Sequence, residues 1–151
     1  MISKRIAAGF IALGFLGFLD SSYLAAKYYL GTPINCSIFE GCNQVASSPY
    51  AVMFGLPVAL YGVAYYLAIF IATIAALDAG SAKIFRLVSW ATVLGLLASA
   101  YFTYLQAFVI SAWCIYCLGS AAISTILFVL GIMARRKLVA PTVVQRAEDH
   151  G

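Results

Sequence analysis

Thiols are the reactive groups this chain offers, and they come in two unlike pairs. The 151 residues contain four cysteines and a single histidine, His150. Cys36 and Cys42 form a C-x5-C in a polar stretch, and Cys114 and Cys117 enclose Ile115 and Tyr116 in a C-x-x-C at the head of the last apolar run. A C-x-x-C holds two sulfurs close enough to close a small disulfide ring and favours the thiolate, the nucleophile of thiol–disulfide exchange. A second pair in a loop can pass electrons to or from the first. With the one histidine at the far end of the chain, a Cys/His metal site is not expected. The plainer reading of the same residues is a pair of structural disulfides.

The elements that must position these thiols are membrane spans. The chain is 64% hydrophobic and 9% charged, against about 25% charged in soluble domains. Four runs, at about 6–29, 56–77, 84–110 and 113–133, reach the roughly 20 apolar residues that a bilayer crossing takes. The length allows one domain. Lys4 and Arg5 before an apolar stretch look like the start of a signal peptide. The run continues past Asp20 to Leu30, however, with no clear small-x-small site before Cys36, so a retained span is expected. The net charge of +4 does not point to nucleic acid, because the basic residues collect at the ends of the apolar runs.

Those charges orient the spans. Lys4, Arg5, Lys83, Arg86, Arg135, Arg136, Lys137 and Arg146 fall on one side of a four-span arrangement, and Lys27 alone on the other. By the positive-inside rule both termini, with a tail over 134–151, are cytoplasmic. All four cysteines then lie at the extracytoplasmic face, an oxidising side where disulfides form. Cys117 sits about one turn inside the bilayer, where a loop-bracing disulfide would gain little.

The outer loop, 31–55, is the expected working surface. Gly31 and Pro33 break the first span, and Asn35 is placed to cap the next short segment. Gly41 gives backbone freedom beside Cys42, which favours a labile ring. Ser48-Pro49 ends any short helix, and Pro57 reads as a first-turn proline of the second span. Residues 45–57 are partly apolar but too short to cross. They are expected to cap the bundle mouth beside Cys117 and enclose a pocket, since polar backbone at that depth must be buried or line a cavity. Tyr50, Met53 and Phe54 equally suit interfacial anchors. Asp20, ionisable within a span, should face the bundle, either relaying protons or pairing with Lys27 two turns on. Gly9, Gly14 and Gly17 suit close helix packing. Tyr101, Tyr104 and Gln106 stand where they could line the pocket, with the tyrosines equally suited to the interface, and Trp113 sits beside Cys114. Residues 139–151 read as a short polar, mobile tail.

These features together resemble the vitamin K epoxide reductase family, in its bacterial and archaeal branch. The resemblance rests on four spans, Cys36 to Cys42 with Ser48 six residues on, Phe54-Gly55-Leu56-Pro57, Cys114-Ile115-Tyr116-Cys117, and Asp20-Ser21-Ser22-Tyr23-Leu24. It covers about residues 15–133. It implies an all-α, four-helix membrane bundle around a quinone of the ubiquinone, menaquinone or vitamin K type, capped by the outer loop or a short helix. It implies that Cys117 faces the quinone with Cys114 as its exchange partner, that Cys42 bridges transiently to Cys114, and that Cys36 meets a partner protein. Ser48 would lie near the quinone head, as a hydrogen-bond donor or to favour the Cys117 thiolate, and is otherwise suited to a turn. Ala51, Phe54 and Ala121 would line the quinone site. Ala51 and Ala121 replace an Asn and a Tyr of the vertebrate enzymes that contact vitamin K, so epoxide reduction is not implied. A polar tail in place of a fused thioredoxin-like domain implies a separate partner.

The expected function is therefore a membrane thiol oxidoreductase. It would take electrons from an extracytoplasmic thioredoxin-like (DsbA-like) protein and pass them to a membrane quinone, supporting disulfide formation. Reduction of a vitamin K quinone or epoxide is the alternative within the same chemistry. A non-catalytic four-span binding or transport subunit with structural disulfides is the alternative of another class. The surroundings are membrane lipid, not nucleic acid.

Overall fold

The computed structural model describes residues 3–38 and 40–148; Met1, Ile2, Phe39 and residues 149–151, His150 among them, lie outside the described residues. Its frame is four long helices, α1 (Lys4–Leu30), α3 (Val58–Asp78), α4 (Ala82–Tyr104) and α5 (Ile115–Glu148), with a short α2 (Cys42–Ala46) after the first. The four are long and apolar enough to cross a membrane. In lipid each backbone polar group must be satisfied within its own segment, which makes a helix the only open-ended solution. The chain is an all-α, multi-pass membrane protein. Large apolar side chains such as Leu19, Ile71, Leu87 and Leu94 stand exposed on its flanks, which suits lipid rather than water.

Helix α1 packs on α3 and α5, and α4 packs on the same two, closing an up-down-up-down ring. The densest core gathers Ile6, Phe10, Phe85, Val88, Leu127 and Ala134, toward the end that carries most of the basic residues. The Phe10 and Phe85 rings meet edge to face at 5.4 Å. The glycines of α1 serve packing, as expected: a Cβ at Gly14 would lie 3.4 Å from Phe70, and one at Gly17 would overlap the Tyr66 ring.

At the cysteine end several boundaries differ from the sequence reading. Val52–Met53 and Leu56–Pro57 pair antiparallel as a two-stranded hairpin, β1 and β2. Its two turn residues, Phe54 and Gly55, both have positive φ, 52° and 81°, as a tight hairpin turn requires. Pro57 is consequently the extended residue before α3 rather than part of its first turn. The third span does not finish as an α-helix, because Leu105–Ile110 wind as a π-helix. Helix α5 runs on to Glu148, so the segment read as a short polar tail continues the helix that far.

Candidate functional site

The site is assembled from the loop after α1 and the junction between α4 and α5. Cys36 and Cys42 form a disulfide with their Cα atoms 6.3 Å apart. The loop is tied by Asn43, whose Oδ1 accepts the Ile34 N–H at 2.7 Å and whose Nδ2 donates to the Ile34 carbonyl at 3.3 Å. Asn35, read from sequence as the cap, is exposed. Its carbonyl instead accepts the Tyr116 hydroxyl at 3.1 Å. Gly41 also does something other than expected. Its backbone is ordinary right-handed, φ −79°, but a Cβ there would lie 2.8 Å from both the Trp113 nitrogen and carbonyl oxygen. Gly41 is needed for close approach, not for flexibility.

That approach brings the loop onto the C-x-x-C. Cys114 immediately precedes α5, and its carbonyl accepts the Leu118 N–H at 3.0 Å. Its own N–H is taken by Gln106 Oε1 at 3.0 Å. Gln106 is buried and reaches Cys114 from the π-helical segment. The Cys114 thiol is pulled down to about 7, chiefly by the hydrogen bond from the Cys117 thiol, partly offset by burial and reinforced by the Cys117 and Tyr116 backbone N–H groups. Cys114 and Cys42 are buried together with Ile34, and Cys36 and Cys117 pack against the same cluster. All four cysteines of the sequence thus meet in one place, with Cys36 half-buried on its outer side.

Beneath them lies a cavity of about 340 Å³. Cys42, Cys114 and Cys117 form part of its wall, Ser48 and Ala51 contribute from the cap, and Leu94, Ala98 and Phe102 from α4. The Ser48 hydroxyl donates to the Val45 carbonyl at 2.7 Å, a turn geometry, while the residue still borders the cavity. Phe54 and Ala121, expected in the lining, are not among the lining residues. Phe54 is at the tip of the hairpin, 92% exposed, and suits an interfacial anchor. Tyr101 and Tyr104 are likewise exposed, leaving Gln106 as the one of the three that lines the cavity.

The cavity has a polar side that the sequence did not mark. The Tyr66 hydroxyl sits 2.7 Å from Ser120 Oγ and 2.9 Å from Ser124 Oγ, and all three residues line the space. A tyrosine and two serines in the middle of apolar runs carry no spacing signal that separates them from packing residues. Asp20 also lines the cavity, and its Oδ2 is buried without a hydrogen-bond partner. The expected pairing with Lys27 does not form; the Lys27 ammonium lies 5.7 Å from the centroid of the Tyr23 ring.

The sequence pattern of the vitamin K epoxide reductase family matches residues 9–132. The chain belongs to that family. The matched stretch holds all four cysteines, the cap and the whole cavity wall. The chain is also 35% identical to the thiol-disulfide oxidoreductase LTO1 of Arabidopsis thaliana over an alignment of 124 residues, which covers 76% of this chain and 32% of that relative. The chain spans about a third of that relative's length.

Proposed function

We propose that the protein is a membrane thiol oxidoreductase that draws electrons from a thioredoxin-like protein on the extracytoplasmic side and delivers them to a membrane quinone. The observation that carries this reading is the single cluster of four cysteines around buried Cys42 and Cys114, with the free pair on the wall of an apolar cavity. Structural disulfides have no use for such a cavity, and a buried free thiol beside a disulfide is arranged for exchange. The cavity's size falls within the range of small-molecule sites, roughly 300–1,000 Å³, and its apolar walls with a few polar atoms suit a quinone ring.

The steps follow from exposure. A partner thiolate attacks half-buried Cys36 and releases Cys42. The partner's second thiol resolves the mixed disulfide, so the partner leaves oxidised and the loop pair is reduced. Cys42 then attacks an oxidised Cys114–Cys117 pair at Cys114, Cys117 departs as the leaving thiolate, and Cys36 closes onto Cys42. The electron pair now resides on Cys114 and Cys117. A bound quinone would supply the two-electron oxidant, leaving as quinol while the Cys114–Cys117 disulfide reforms. Cys117 is the member set in the first turn of α5 on the cavity wall, and Ser48 offers a hydroxyl to a developing oxyanion. Ala51 presents no polar group there, so plain quinone reduction is favoured over epoxide reduction.

The test is purified protein supplied with a reduced thioredoxin-like dithiol and a soluble quinone. Quinone absorbance should fall in step with partner thiols. Cys117→Ala should abolish turnover and accumulate a Cys42–Cys114 disulfide. Full turnover in that variant, or none in the unmodified protein, would refute the reading.

A further inference from the structure

Asp20 lies well inside α1, where an ionisable group is costly and marks function by default. It borders two spaces at once. One is the thiol cavity. The other is a second cavity of about 270 Å³ walled by Asp20, Asn35, Ser37, Ile38, Ile115 and Tyr116. Asn35 and Ser37 are exposed residues flanking Cys36, so this second space opens at the cysteine end. Asp20 is the wall the two share. Its Oδ2 is buried with no partner, an arrangement that suits a neutral carboxylic acid and penalises a carboxylate. The titratable groups around it are Tyr66 of α3 and Cys114, Tyr116 and Cys117 at the head of α5. On its own helix are Tyr23 and Lys27, and the Lys27 ammonium is engaged by the Tyr23 ring.

We propose that Asp20 is the proton donor of the thiol cavity, refilled from solvent through the Asn35–Ser37 cavity. The inference rests on the quinone-reducing reading above. Forming the Cys114–Cys117 disulfide releases two electrons, and a quinol needs two protons with them. Cys117 brings one as its thiol. Cys114, whose thiol is pulled down to about 7, gives its proton to solvent when it reacts as the thiolate. The Asp20 carboxyl supplies the second, becomes a carboxylate, and takes a proton from water at the cysteine end before the next turnover. Protons and electrons then balance with nothing else required.

Two measurements test this. The first needs no quinone. Infrared spectra of the protein labelled with carbon-13 aspartate should show a protonated-carboxyl stretch at neutral pH, and Asp20→Asn should remove it. Asp78→Asn, at an exposed position, should leave the band in place. The second is single-turnover oxidation of the pre-reduced protein by a soluble quinone. Asp20→Asn should lower the rate about 100-fold, in the range of a lost general acid. The quinone concentration giving half the maximal rate should hardly change, the rate should lose its decline at high pH while keeping the fall below pH 7 that the Cys114 thiolate sets, and Asp20→Glu should restore both the rate and the high-pH decline. Exchange between the loop pair and a thioredoxin-like dithiol should be unaffected. No aspartate carboxyl band at neutral pH, or an Asp20→Asn protein with the original rate and pH profile, overturns the proposal. An unmodified protein that shows the band but never reduces quinone overturns the quinone reading, and the proton-donor role with it.

Discussion

In the proposed exchange Cys114 is the pivotal residue, and its environment would fix when it reacts. The thiol is pulled down to about 7, first by the Cys117 thiol's hydrogen bond. A lowered value means thiolate above pH 7 and thiol below it, so reactions that need the Cys114 thiolate should slow about tenfold for each pH unit below 7. Ultraviolet thiolate absorbance of the protein with the C-x-x-C reduced should titrate near pH 7. In Cys117→Ala, which removes the largest stabilising contact, the midpoint should move up toward the ordinary thiol value. An unmoved midpoint would mean that the helix N–H groups alone hold the thiolate. In the proposed relay, exposure would divide the work of the loop pair. Cys42 is fully buried while Cys36 is half-buried, so Cys36 should meet the partner. Cys42→Ala leaves only the partner's own second thiol to clear the mixed disulfide at Cys36, and should accumulate a reductant-sensitive complex with an oxidised thioredoxin-like protein on non-reducing gels. Cys36→Ala should accumulate none. Equal trapping by both variants would mean that burial does not set the order.

At the scale of elements, the proposed relay would depend on how closely the loop of residues 36–46 lies on the α4–α5 junction. The contact is backbone to backbone at Gly41 and Trp113, so neither side can yield by changing a rotamer. Gly41→Ala should push the loop away and slow electron transfer from Cys42 to Cys114 at least about tenfold, at a stability cost of about 1–3 kcal/mol. The Cys36–Cys42 disulfide itself should survive. Gly119→Ala is the control, because a Cβ there meets nothing within 4 Å. Quenched alkylation followed by mass spectrometry reads both rates, and equal rates would remove the docking requirement. The reasons these contacts were or were not visible in the sequence are physical. Cysteine spacing was legible because a C-x-x-C by itself sets two thiols within disulfide reach. Gly41 looked like a flexible joint because sequence does not distinguish positive φ from close approach. Gln106 was one candidate among three because the π-helical turn that aims it inward has no period in the sequence. Asn43 outcompeted Asn35 because two bonds to one backbone segment tie the loop better than a single cap would.

The whole molecule is graded along its length. One end is densely packed and basic, with Arg135 lying 4.6 Å from the centroid of the Trp90 ring and its Nε donating to the Gly131 carbonyl. The other end is open, loop-covered and holds the thiols. The four spans were legible from hydropathy because lipid leaves the backbone no alternative to helix. The cavity was not, since it arises from where four helices fail to meet. The charge gradient predicts the sidedness. Among the nine basic residues only Lys27 lies at the cysteine end, and translocating the others would oppose the positive-inside bias. The cysteine end should therefore face away from the cytoplasm, where oxidised partners occur. Single cysteines placed at Ser37 and Ser81, in a background with the native four replaced, would show this in intact cells. A membrane-impermeant maleimide should label Ser37→Cys and leave Ser81→Cys unmodified until the membrane is permeabilised. The reverse pattern would turn the molecule over and put its thiols in a reducing compartment. A disulfide-forming role would then be lost, even with every distance at the site unchanged.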